Sequence, residues 1–136
     1  MSRRVLYLDC AGGVAGDMLV CALSEALGSV DLIDELPKML GFPDVSLEWL
    51  ESRPGGFAAR RLKVHFEPSA HPHHRKLSDV HAIIDRTEVT PAVASMAKKV
   101  FLRLAEAEGV VHGESAADVE FHEVGAVDAL VDVVGA

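Results

Sequence analysis

Two stretches of alternating polarity, residues 45–51 and 57–66, flank the turn signal Pro54-Gly55-Gly56. Apolar side chains at every second position put one face of an extended strand on a core and the other toward water. Two such stretches around a Pro-Gly-Gly turn predict a β-hairpin, and a hairpin excludes an all-parallel sheet. Whatever else this chain forms must be built around an antiparallel pair.

The other periodicities are mostly helical. Residues 4–9 read as a short, largely buried strand that runs into a glycine-rich loop over 10–16. A helix follows, capped by Asp17, with Met18, Leu19, Ala22, Leu23, Ala26 and Leu27 on one face and Gly28 at its end. Residues 31–40 predict a second helix interrupted by Pro37. Residues 69–76 lose all periodicity and form an exposed loop with three of the seven histidines. A short helix starts at Ser78 or Asp79 and runs through Arg86, with Val80, Ile83 and Ile84 inward. Thr90 and Pro91 then open a helix whose apolar stripe is Val93, Met96, Ala97, Val100, Phe101 and Leu104, ending at Gly109. Residues 119–122 predict a short strand, and 124–136 either a helix or a second buried strand. The order implies an α/β (α+β) fold, a mixed β-sheet with a β-hairpin, covered by helices.

At 136 residues the chain has room for a single domain. Residues 130–136 are still apolar where the sequence stops, so residues 1–136 are expected to be the N-terminal fragment of a longer protein. Aromatic residues are 5%, which makes the core mostly aliphatic. The apolar run after Met-Ser-Arg-Arg, Val5 to Leu8, is too short for a signal peptide or a membrane span, which predicts a cytoplasmic protein without a membrane partner. Cys10 and Cys21 suit a reducing compartment better than a disulfide framework.

The net charge of −8 is unevenly placed. Residues 1–103 balance 13 bases against 13 acids, so all eight excess carboxylates lie in 104–136, which holds no Lys or Arg. Arg60, Arg61 and Lys63 are too few for a phosphate-backbone footprint, which excludes nucleic acid. The acidic end should favour cations.

Three constellations carry chemistry. In the loop from Asp9 to Met18, backbone N–H groups at a helix N-terminus could cradle an anion. The spacing of Gly12, Gly13 and Gly16 fits neither a dinucleotide fingerprint nor a P-loop. Asp9 and Asp17 would repel a bare phosphate, and the simpler reading is a tight turn with Asp17 as a cap. The second, His71-Pro72-His73-His74-Arg75 continuing to Asp79, His81 and Asp85, offers imidazoles suited to Ni, Zn or Cu, with Arg75 as a bidentate anion donor. A solvated histidine loop is the alternative. The third is His112-Gly113 and then Phe121-His122-Glu123-Val124-Gly125-Ala126-Val127-Asp128. His122 and Glu123 would point to opposite faces of a strand, and a helical tail would put Asp128 and Asp132 on one face. His122 and Asp128 are ligand or proton-transfer candidates, whereas His112 reads equally well as a histidine at the edge of the core.

Taken together, Asp9-Cys10-x-x-Gly13-x-x-Gly16-Asp17-Met18, His73-His74-Arg75 with Asp79-Val80, Ala105-Glu106-x-Glu108 before Val111-His112-Gly113, and the Phe121 to Asp128 string resemble the LarC family. These are the nickel insertases of nickel-pincer nucleotide cofactor synthesis. The resemblance runs along nearly all of the chain but covers only part of the family's length. The C-terminal region to which that family's nucleotide binding is ascribed is absent. The resemblance implies a CTP-dependent cyclometallase, a lyase that places Ni(2+) into pyridinium-3,5-bisthiocarboxylic acid mononucleotide through two Ni–S bonds and one Ni–C bond. It implies CTP with Mg or Mn in the full-length protein, lactate racemase as an indirect partner, and a fragment inactive alone, with homo-oligomerisation left open. Carried onto this sequence, His73, His74, His122 and Asp128 deliver nickel with Cys10 as a transient ligand. Gly13, Gly16 and Arg75 hold the nucleotide phosphate, and Asp9, Asp17 and Glu123 are catalytic. Ala11-Gly12 and Pro72 depart from the family pattern. A nickel-binding metallochaperone and a nucleotide-phosphate-binding module are the competing readings.

Overall fold

The structure, a computed structural model, describes residues 5–71, 74–122 and 125–136. The hairpin forms as the alternation demands. Strands β1 (Ser46–Ser52) and β2 (Ala59–His65) pair antiparallel from Ser46 opposite His65 to Ser52 opposite Ala59. Gly55 and Gly56 take φ of +59° and +86°, the left-handed values that other side chains resist and that this connection requires. Leu62 is buried, and Leu47, Trp49 and Val64 pack on the core. The Trp49 indole N–H donates to Asp34 Oδ1 at 2.7 Å and ties the hairpin to the chain before it.

Helices α1 (Gly16–Leu27), α2 (Asp31–Asp34) and α3 (Leu36–Met39) precede the hairpin. Pro37 falls in the first turn of α3, where its missing N–H is no loss, so the interruption comes at Glu35 instead. After the hairpin come β3 (Arg75–Lys76), α4 (Leu77–Arg86), α5 (Pro91–His112), β4 (Glu120–Phe121) and α6 (Val127–Gly135). The tail is therefore helical. Strands β3 and β4 form a second antiparallel ribbon separate from the hairpin, so the strands make two small pairs beneath the helices. Helix α6 touches α1, α3 and α5, and Leu130, Val131 and Val127 join Phe101, Phe121 and Val20 in one core.

Five local expectations need correction. Residues 5–9 form no strand and are exposed, because among the described residues nothing pairs with them. Asp17 does not cap α1. Ala15 holds the cap position, and Asp17 lies in the first turn. The buried face of α1 is Val20, Cys21 and Ser24, whereas Met18 and Leu27 of the anticipated stripe face solvent. Helix α4 opens at Leu77, one residue early, because Asp79 Oδ2 accepts from the Lys76 N–H at 2.9 Å. Finally, α5 passes through Gly109 and stops at Gly113, with φ of +73°. Gly109 is needed inside the helix because a Cβ there would come 2.7 Å from the Glu114 carbonyl oxygen as the chain folds back. Among the described residues no helix is long and apolar enough to cross a membrane.

A histidine pair and a carboxylate-filled helix terminus

The β3–β4 ribbon decides what the second and third constellations can do. Arg75 stands opposite Phe121, so in an antiparallel pair the residues just outside, His74 and His122, come together. Their Nδ1 atoms lie 3.1 Å apart and the rings meet edge to face, with centroids 5.0 Å apart. One imidazole N–H donates to the other's lone pair, and a cation can replace that proton. With metal–imidazole bonds of about 2.1 Å, nitrogens at this spacing subtend an angle of about 95° at one ion, between the octahedral and tetrahedral values.

His112, at the C-terminal end of α5, places its ring 6.1 Å from that of His122. The two line a concavity of about 260 Å³ with Glu114, Asp118 and Glu120. Three carboxylates without a base, beside the negative end of a helix, attract a cation. The localised charge of the sequence thus becomes a pocket beside the histidine pair.

Arg75 is 7% exposed. Its Nη1 donates to the Gly125 carbonyl and its guanidinium lies 5.5 Å from the centre of the Phe42 ring. Burial lowers its pKa, and the nearby Asp79 charge works against that. Arg75 therefore acts as a buried post that holds the Gly125 carbonyl just before α6, and that contact takes up its Nη1.

The glycine loop is differently occupied. Gly13, with φ of +84°, closes a turn onto the Cys10 carbonyl, and Asp9 Oδ1 accepts from the Ala11 N–H at 3.2 Å. At Gly16 a Cβ would sit 2.5 Å from the Asp132 Cβ, so only glycine lets α6 approach the start of α1 this closely. The Asp132 carboxylate sits against the Asp17 backbone N–H, where an anion would bind. Burial, then the charges of Asp17 and Asp128, push its pKa up to about 6, with the Asp17 N–H opposing them. Asp132 was visible in the sequence only as a partner of Asp128 on one helix face. The signal that could have singled it out is Gly16, a glycine at the first helical position.

The remaining expected ligands are dispersed. His71 pairs with Asp44 at 2.7 Å, lowering the Asp44 pKa, and stands edge-on to Phe42 and Phe66. His81 reaches the Lys98 carbonyl, and Asp85 pairs with Lys98, so both join α4 to α5. Asp128 is exposed in the first turn of α6, with its Oδ1 accepting from the Ala129 N–H. Cys10 is a free, exposed thiol, and Cys21 is buried, which with Asp17 raises its pKa and keeps it protonated. His73 and Glu123 lie outside the described residues. Among the described residues no group of three or more His, Cys, Asp and Glu is arranged as a complete metal site. The pair His74 and His122 supplies two donors in cis and leaves the rest of an ion's coordination open.

The chain matches the family described as nickel insertion protein over residues 6–136. A protein of Geotalea uraniireducens named "Putative nickel insertion protein" is 43% identical across 98% of this chain and 34% of its own length. The pyridinium-3,5-bisthiocarboxylic acid mononucleotide nickel insertion protein of Staphylococcus saprophyticus is 38% identical across 96% of this chain and 33% of its own. The chain spans about a third of the length of the curated relatives it matches. No solved structure matches it.

Proposed function

Because the chain belongs to the nickel insertion protein family, we propose that it is the N-terminal part of a protein that inserts nickel into pyridinium-3,5-bisthiocarboxylic acid mononucleotide. The observation that carries this reading is the His74–His122 pair, held by β3 and β4 beside an acidic concavity. Nickel is cargo in this reaction. It must be held firmly enough to be collected and loosely enough to pass to the sulfurs of the acceptor. Two imidazoles with open positions beside them suit that task, where a thiolate cage would retain the ion. Glu114, Asp118 and Glu120 gather the ion, and the imidazoles present it.

Forming two Ni–S bonds and a Ni–C bond replaces a ring proton, and a base must accept that proton. In this proposal Asp9, Asp17 and Glu123 share the acid–base work, His73, Asp128 and Cys10 complete the nickel ligands during transfer, and Gly13 faces the nucleotide, while Gly16 is taken up by its contact with Asp132. CTP, with Mg or Mn, belongs to the region beyond this chain, and the product serves lactate racemase in the cytoplasm. The chain alone is then inactive in cyclometallation while still binding nickel.

Calorimetric titration with Ni(2+) tests the central claim. Replacing both His74 and His122 by Ala should weaken binding at least roughly tenfold, about 1.4 kcal/mol, and unchanged affinity would sink it. The incomplete ligand set also favours a second reading, a metallochaperone without catalysis. Adding the remaining region of a relative with CTP separates the two, since a pure chaperone would form pincer product no faster than free nickel does.

A further inference from the structure

Residues 5–8, Val-Leu-Tyr-Leu, have the contiguous apolar character of a strand covered on both faces. In the structure Val5, Leu6 and Tyr7 are 83%, 61% and 84% exposed, and none of the backbone hydrogen bonds among the described residues involves 5–8. If the segment is buried as its apolar character suggests, its backbone donors and acceptors need protein partners.

The segment borders a groove of about 700 Å³ lined by Val5, Leu6, Leu23, Leu27 and Ile33, with no charged residue in its walls. A second hollow of about 280 Å³ shares Leu32, Ile33 and Gly135 with it and continues to the start of α5. The outward stripe of α1 and the exposed Val93 of α5 open onto this one trough.

Without basic residues in the walls, the trough does not suit an anionic surface. A second copy would offer one edge of a four-residue segment, too little to cover two faces. The matched relatives have about two thirds of their length outside the matched region, and covalent linkage would present that polypeptide at high effective concentration.

We infer that residues 5–8 are an interior strand of a β-sheet whose other strands, with the layer covering the outer face of α1, come from the polypeptide following this region in the longer nickel insertion proteins. The inference rests on reading the chain as the N-terminal part of such a protein. Completing the sheet would place the glycine loop at the carboxyl end of a paired strand, where open α/β sheets bind ligands.

The test adds, in trans, the remaining two thirds of the Geotalea uraniireducens relative to this chain and follows amide hydrogen exchange. The expected result is a complex in which amides 6–8 exchange roughly a hundredfold more slowly than in the chain alone. Leu6→Asp should abolish that complex while leaving the melting temperature of the isolated chain unchanged. A complex that leaves amides 6–8 in fast exchange overturns this surface but not the N-terminal reading, and no complex at all overturns both. Protection that rises with the concentration of the chain alone, together with dimer in sedimentation, assigns the trough to a second copy and overturns the inference.

Discussion

The histidine pair and the glycine loop are both short constellations at the ends of strand-like segments, yet only one is held ready by the fold. His74 and His122 flank a paired ribbon whose arginine is buried, hydrogen-bonded to Gly125 and stacked on Phe42. The glycine loop hangs from an unpaired segment, and the anion position at its helix is filled by Asp132 of the same chain. The difference shows that a loop with the right residues is a site only when the elements on both sides of it are fixed. Within this chain the donor pair is fixed on both sides, and the loop only on the side of α1.

The comparison breaks most sharply at Arg75. Arg75→Ala leaves the Gly125 carbonyl and the Phe42 ring facing a void, and should cost about 3 kcal/mol in urea unfolding while weakening nickel binding. Arg75→Met, which restores volume but not the hydrogen bond, should recover part of the stability and less of the affinity. Next comes Gly16→Ala, whose Cβ collides with Asp132. A loss of about 2 kcal/mol is expected, largely relieved by adding Asp132→Gly, and nickel affinity should not change. A coupled loss of affinity would show that loop and pair are one unit.

His74→Ala or His122→Ala alone should each lower nickel affinity by roughly tenfold, about 1.4 kcal/mol. The double variant should add little to either, because one imidazole cannot chelate.

The smallest effect belongs to Asp132. Its folded pKa of about 6 exceeds the ordinary 3.8, so the folded state holds the proton more tightly than the unfolded chain. Its contribution to stability is therefore full at low pH and falls as pH rises from about 4 to about 6. Discounted for solvent screening, Asp132→Asn should stabilise the chain by on the order of 1 kcal/mol at pH 7. The gain should vanish below pH 4, as thermal melts across that range would show.

The parts of the fold legible in the sequence are those whose causes are local. Alternation gave away the hairpin, and Thr90, whose Oγ1 accepts from the Val93 N–H, marked the start of α5. Polarity along α1 was legible too, but not which apolar face would be covered. Met18 and Leu27 look like core and meet solvent, while Gly16 and Ser24 take the contact with neighbours. For the site, residue type identified His74 and His122, but their meeting depends on the register of a two-residue ribbon 46 residues apart in sequence at Arg75 and Phe121. Arg75 was read by its charge, and its burial depends on Phe42, a residue no spacing rule connects to it.

The Trp49–Asp34 hydrogen bond has a practical consequence. Trp49 is the chain's one tryptophan, so its fluorescence reports a single event, the seating of the hairpin against the segment that follows α1. Emission should shift to the red when that seating is lost. A variant in the histidine ribbon that lowers helical circular dichroism while leaving the emission maximum in place would show the two halves yielding in sequence, with intrinsic light as the clock.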